Sequence, residues 1–173
     1  MVIYSVECTF SNPAEEKAWN DFYSLEKLPA LISVTGFHTS QRFKALTQNC
    51  PTYLALHTIT GSDILSSMSY RENGGGNFAR WQRFIKDWHR NVYEGLDVAP
   101  NVDAKSYLLL SSSGPEALQK LNTIPHEIRA TALDKNPELR WLSVASKLDF
   151  SDLIGRLPED VHLYEPMGEQ LSK

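Results

Sequence analysis

Residues 22–43 read FYSLEKLPALISVTGFHTSQRF, and a change of period inside this stretch decides how the chain is parsed. Ahead of Leu28 the apolar residues Trp19, Phe22 and Tyr23 recur at three- and four-residue spacing, with Glu26 polar beyond them, as in an amphipathic helix. Pro29 lacks an amide proton and fixes its own φ, so it ends or kinks that helix. A short connector follows, and Gly36 opens an extended run, GFHTSQRFKAL (36–46). Strand alternation places His38, Ser40 and Arg42 of that run on one face.

Working outward, VIYSVECTF (2–10) alternates Val2, Tyr4, Val6, Cys8 and Phe10 against Ile3, Ser5, Glu7 and Thr9, which predicts a first strand. Asn12-Pro13-Ala14-Glu15 supplies a cap, a proline at the first helical position and an acid soon after, so the helix starts there. Asn49-Cys50-Pro51 turns the chain into a third strand, TYLALHTI (52–59). A helical turn or two is expected from Ser62 to about Arg71, broken by Gly74-Gly75-Gly76. Phe78, Trp81, Phe84, Ile85, Trp88 and Val92 then predict a longer helix, and Leu96–Ala99 a short fourth strand.

Residues 103–173 repeat this order with smaller helices. KSYLLLSSS, EIRATALD, ELRWLSVAS and VHLYEP read as strands, PEALQKL and DFSDLIGRL as short helices, the latter capped by Asp149 or Ser151. Both halves, 1–102 and 103–173, fit a βαββαβ unit of the ferredoxin-like kind. Helices cover one face of such a sheet and leave the other bare, so the predicted fold is α+β, with tandem ferredoxin-like units packed sheet to sheet as a pseudo-dimeric α+β barrel. The N-terminal half is the expected active-site half.

Bulk properties narrow the function. The formal charge of -4 and the absence of any Lys/Arg run argue against a nucleic-acid partner. The longest apolar runs are far too short to span a bilayer, and the start, MVIYSVECTF, has no basic region of the secretory kind. Cys8 and Cys50 have no metal-ligand spacing, and Cys8 reads as a small buried hydrophobe of a strand. A cytoplasmic protein with reduced thiols is expected, with a small-molecule substrate, no bound cofactor or metal, and a homodimer as one possible assembly.

Tyr23-Ser24-Leu25-Glu26-Lys27-Leu28-Pro29 followed by Val34-Thr35-Gly36-Phe37-His38-Thr39-Ser40-Gln41-Arg42-Phe43 resembles the first helix and second strand of the dimeric α+β barrel superfamily. Many members carry Y-x-x-E-H-L-P and then a P-G-F strand ending in R-F or R-Y. Tyr53–Leu56 is similar to the third strand of that family, and Trp88–Tyr93 to the end of its second helix. The resemblance covers residues 1–100 and implies a cleft between sheet and helices, used for cofactor-free oxygenation of polycyclic phenols, lactone isomerisation, dehalogenation, polyketide cyclisation or haem chemistry. Fold alone does not choose among these. Two positions depart from the pattern: Lys27 stands where many members have His, and Thr35 where proline precedes the glycine. A lysine replaces that histidine in proton transfer only if burial lowers its pKa, and at a helix end its expected place is solvent.

Glu7, His38 and His57 stand on three strands expected to be neighbours, so an acid and two imidazoles would converge on one wall. Histidine exchanges a proton near neutral pH, and a carboxylate orients an imidazole. Arg42 would hold a substrate anion, and Tyr23, Trp81 and Trp88 would wall the pocket against a flat ring. These residues predict a small cofactor-independent enzyme, an isomerase, lyase, cyclase or oxygenase acting on a compact aromatic or cyclic organic acid. Against it stand a non-catalytic binding or stress-response barrel, in which Glu7 and Arg42 form an internal ion pair and the pocket is filled, and a haem-handling protein with His57 or His89 as axial ligand. His89, His126 and His162 are expected in structural or exposed places. A cavity of several hundred cubic ångströms, on the order of known ligand pockets, would favour the enzyme.

Overall fold

The computed structural model describes residues 1–150, 155 and 157–173. Among these residues the strands are β1 (Val2–Phe10), β2 (Phe37–Ala45), β3 (Tyr53–Ile59), β4 (Ile85–Glu94), β5 (Ser106–Ser111), β6 (His126–Leu133), β7 (Leu139–Ser146), β8 (Val161–Pro166) and the two-residue β9 (Leu171–Ser172). The hydrogen-bonded order is β3-β1-β4-β6-β7-β5-β8-β2, and β2 pairs back onto β3. Eight antiparallel strands therefore close into a barrel, and β9 adds a short pairing to β2 at Thr39 and Ser40.

This corrects the expected fold. Two separate ferredoxin-like sheets stacked face to face do not form; one continuous sheet closes on itself and carries few helices. Open sheets would leave the outer edges of β4, β6, β2 and β8 with unpaired amides and carbonyls, and pairing β4 with β6 and β2 with β8 satisfies them. The helices are short: α1 (Pro13–Phe22), α2 (Leu28–Ser33), α3 (Met68–Glu72), α4 (Glu116–Lys120) and α5 (Lys147–Phe150). None is long and apolar enough to cross a membrane. Of the helix expected at DFSDLIGRL, residues 151–154 and 156 lie outside the described residues.

The predicted long helix over 78–93 is absent. Its place is taken by a 3-10 turn over Ala79–Phe84 and then β4. The reason lies in the register. Glu7 sits opposite His89 but Thr9 opposite Lys86, so β4 carries one extra residue, and Asp87 takes a left-handed φ of 49° there. That bulge breaks the strand's alternation and lets Ile85, Trp88 and Val92 fall at helical spacing. Leu96–Ala99 forms no strand; with the residues after it, it folds under the barrel, where Ala99 and Val102 are buried.

Alternation divides the remaining residues between two environments. Ile3, Phe43, Leu54, Leu56, Tyr93, Leu108, Leu110, Ile128, Ala130, Leu142 and Tyr164 come from all eight ring strands and fill one cluster, so the barrel interior is packed with side chains. The outward residues of β1, β2 and β3 join α1, α2 and α3 in a second cluster around Trp19, Tyr23 and Phe37. A third lies under α4 and α5 around Leu109, Leu118 and Leu163.

One ion pair crosses the interior. Arg140 of β7 donates two hydrogen bonds to the Glu7 carboxylate, at 2.9 and 3.0 Å, with both residues buried. Removing either partner strands a charge in an apolar core, so Glu7→Leu or Arg140→Met alone is expected to cost about 3–5 kcal/mol. The double variant is expected to lose much less, because no charge is left behind. Urea denaturation of the three variants checks this.

Candidate functional site

The site is built outward from the N-terminal helix. Asn12 caps α1 through Oδ1, which accepts from the Ala14 amide at 3.2 Å, and Pro13 occupies the first turn. Pro29 does not end the helix. The turn before it widens into a π-helical turn over Tyr23–Lys27, in which the Leu28 amide donates to the Tyr23 carbonyl, and α2 continues beyond. A widened turn relieves the clash between the proline ring and the preceding turn. Tyr23 and Lys27 both face the sheet and are buried.

Beneath them, His57 of β3 lies opposite Tyr4 on one side and Ser40 on the other. The His57 ring stacks on Tyr4 with centroids 5.4 Å apart, and Nδ1 shares a 2.8 Å hydrogen bond with Ser40 Oγ. Its Nε2 is buried and has no partner among the described residues. The Tyr4 hydroxyl meets the Tyr70 hydroxyl at 2.9 Å. Tyr4, Val6, Tyr23, Lys27, Leu31, His57, Tyr70, Gly76, Phe78 and Trp88 enclose a hollow of about 10 Å³, the room of a single water molecule.

Electrostatics in this hollow are set by burial. Burial, and then the Lys27 ammonium, push the His57 pKa down to about 3, so its imidazole is neutral across physiological pH. Burial likewise lowers Lys27 to about 8. Burial raises the Tyr4 phenol well above its ordinary value, reinforced by Tyr70. The Trp88 indole N–H is also buried without a partner. With burial and the Lys27 ammonium both opposing its protonation, the closed-state imidazole is a weak base, and only an anion formed beside it, such as an enolate, would offset both effects as the proton moves.

The sequence-predicted residues are distributed as follows. His57 and Tyr23 line the hollow, and so does Trp88, although from a strand and not a helix. His38 lies elsewhere: Phe37 is opposite Ile59 and Thr39 opposite Thr58, so His38 is the extra residue of a bulge. It is exposed, with Nε2 2.8 Å from Thr60 Oγ1. Glu7 points into the barrel toward Arg140, on the far face of the sheet from His57. Arg42 is buried, but its guanidinium donates to Asn20 O, Asn20 Oδ1 and Ser24 Oγ at 2.8–3.2 Å and stacks 4.1 Å from the Tyr23 ring centroid. It fastens α1 to the sheet. Trp81 packs on Phe22, 4.8 Å between centroids, away from the hollow. Among the described residues no group of three or more His, Cys, Asp or Glu is placed to hold a metal. At about 10 Å³ the hollow over His57 would have to open for a porphyrin, as for any ligand larger than a water, and His89 is exposed.

Lys27, expected in solvent at a helix end, is buried in the wall of the hollow, and Tyr4 and Tyr70 were not expected there. Lys27 follows Tyr23 by four residues, the spacing that shares a helix face, and this was the available signal. Tyr4 was legible as His57's cross-strand neighbour once β1 and β3 were paired; nothing marked Tyr70.

No family model matches the chain, and no curated protein matches its sequence. Solved structures share its fold. A candidate monooxygenase from Fusobacterium nucleatum aligns at a TM-score of 0.56 and 10% identity, over 99% of this chain and 94% of that one. An anthrone oxidase-like protein gives 0.57 at 7% identity, over 99% and 92%. A candidate monooxygenase from Lactobacillus acidophilus gives 0.56 at 7% identity, over 99% and 96%. Despite this sequence distance, the barrel is similar to theirs over nearly its whole length.

The state of His57 has a measurable consequence. Its folded pKa of about 3 lies below the unfolded value, so between about pH 6.5 and 3 the unfolded chain takes up a proton that the folded chain refuses. Stability from this residue is complete above about pH 6.5 and is lost as pH falls, by about 1.4 kcal/mol per unit. Urea titrations at a series of pH values are expected to show a slope shallower by about that amount in His57→Phe.

Proposed function

We propose that the hollow is the site of a cofactor-independent enzyme that moves a proton on a compact aromatic or cyclic organic acid, with His57 as general base. The observation that carries this reading is the His57 ring: buried, anchored through Nδ1 to Ser40, and left with an unpartnered Nε2 in an aromatic wall. A structural histidine in an apolar core normally has both nitrogens satisfied or one exposed to water. Ser40 fixes the ring, Lys27 steadies the developing anion, and Tyr4, Tyr23 and Trp88 flank the ring plane of the substrate. Kinship with the dimeric α+β barrel superfamily belongs to the same proposal; the closed eight-stranded barrel and its likeness to two candidate monooxygenases and an anthrone oxidase-like protein support it. Within it, deprotonation of an enolisable ring followed by reaction with oxygen is the favoured chemistry.

A second reading, a non-catalytic binding barrel, has one observation in its favour: the closed hollow holds only about 10 Å³. Anthrone-2-carboxylate, an enolisable ring ketone that carries an acid group, separates the two. Under nitrogen, deuterium exchange at its acidic methylene reports proton transfer without oxygenation. The wild type is expected to speed exchange, and His57→Ala to slow it by about tenfold or more, the usual size of a general-base contribution. His38→Ala is expected to exchange at the wild-type rate. Exchange in the wild type no faster than in heat-denatured protein would favour the binding barrel.

A further inference from the structure

Lys27 raises a question that a base at His57 does not answer. Its ammonium is buried, yet it forms no ion pair among the described residues. Its partners are two backbone carbonyls, those of Gly74 and Asn77, the second at 2.5 Å. Its remaining side faces the rings of Phe78 and Tyr23, 5.1 and 5.9 Å from their centroids. A buried cation is ordinarily met by a carboxylate. Here neutral dipoles stand in its place.

Those dipoles belong to a segment that adapts readily. Gly74 and Gly76 hold φ of 79° and 70°, open to glycine at little cost. Gly75 lies so close to the Tyr70 ring that a side-chain carbon there would overlap it. Gly76 forms part of the wall of the hollow, so this loop is its cover. Because the hollow has room for about one water, a larger ligand has to displace the cover, which Lys27 ties to the helix through two carbonyls while the Gly75 amide holds it to the Tyr70 carbonyl. The surroundings select the charge of such a ligand. No described lining residue is acidic, and Arg90 adds a second cation, 4.6 Å from the centroid of the Trp88 ring that also lines the hollow.

Resting on the reading of the hollow as a ligand site, we propose that Lys27 is its anion-binding residue and also the catch of its cover: an organic monoanion entering beside His57 takes the ammonium from the carbonyls of Gly74 and Asn77, and the 73–77 loop is released as the ligand binds. Carbonyl groups set free in this way turn to water, whereas the ammonium exchanges two dipoles for a full charge. The ligand binds the open state better than the closed one, and that difference drives the opening. A neutral analogue of the same shape has no such lever.

The probe is 2-naphthoate against its methyl ester, titrated calorimetrically into wild type, Lys27→Met and Lys27→Arg, with hydrogen exchange of the 73–78 amides followed in parallel. Wild type is expected to bind the acid about tenfold or more tightly than the ester, as for a buried charge contact. Lys27→Met is expected to lose that preference, and Lys27→Arg to keep most of it. The 73–78 amides are expected to exchange faster in wild type with naphthoate than without, and in Lys27→Met with no ligand at all. Equal affinity for acid and ester in the wild type overturns the role of Lys27, and so does a preference that survives Lys27→Met. If in those cases both probes still bind and His57→Phe abolishes binding, the hollow stands as the ligand site and only the anion assignment falls. If neither probe binds the wild type, the two readings fall together.

Discussion

A closed ring of antiparallel strands leaves no backbone edge unpaired, and that constraint organises the rest of this molecule. Once β4 is zipped to β6 and β2 to β8, each strand has one face committed to the inside and one to the outside. Inside, residues from all eight ring strands pack solid around the Glu7–Arg140 pair. A roomy lumen is thereby ruled out among the described residues, and the hollow over His57 lies on the outer surface, where α1, α2 and the 62–84 segment lie against β1, β2 and β3. His57 belongs to that outer face because it pairs with Tyr4 and Ser40, which share its parity.

Much of this was legible in the residues. The alternation of Val2–Phe10, the Asn12-Pro13 start of α1 and the turn at Asn49–Pro51 bracket elements that form where periodicity and capping place them. What failed was anything that depended on a single inserted residue. At His38 and near Asp87 one extra residue in a strand reverses the alternation, which moved His38 to the surface and made β4 imitate a helix. No local rule reveals a bulge whose cause is a partner strand far away in sequence. The closure of the sheet was hidden for the same reason, since edge pairing between β2 and β8 joins residues more than a hundred positions apart.

The candidate site shows the same division. His57, Tyr23 and Trp88 were recognisable as residue types able to hold and deprotonate a flat ring, and all three line one hollow. Glu7 and Arg42 were recognisable as charges that burial would oblige to find partners, but each found a different one: Arg140 for Glu7, and the amide and hydroxyl groups of Asn20 and Ser24 for Arg42. Lys27 misled because a lysine at the end of a helix is normally solvated, and only the π-helical turn ahead of Pro29, with the glycine loop laid over it, encloses its ammonium.

The segment that joins β4 to β5 bears on any exchange of strands between copies of the chain. A barrel assembled from β1–β4 and β5–β8 through two complementary seams can, in geometry, accept the second set from another copy, which is the route to a domain-swapped pair. Here the joining segment is not a free hinge. Gln41 grips Val102 through both its amide and its carbonyl, at 2.7 and 3.1 Å, and the Ala99 amide donates to Thr58 Oγ1 at 2.9 Å. With both side chains sunk into the floor of the barrel, the linker stoppers the ring that it connects, and reciprocal exchange of strands would first have to pull that stopper out.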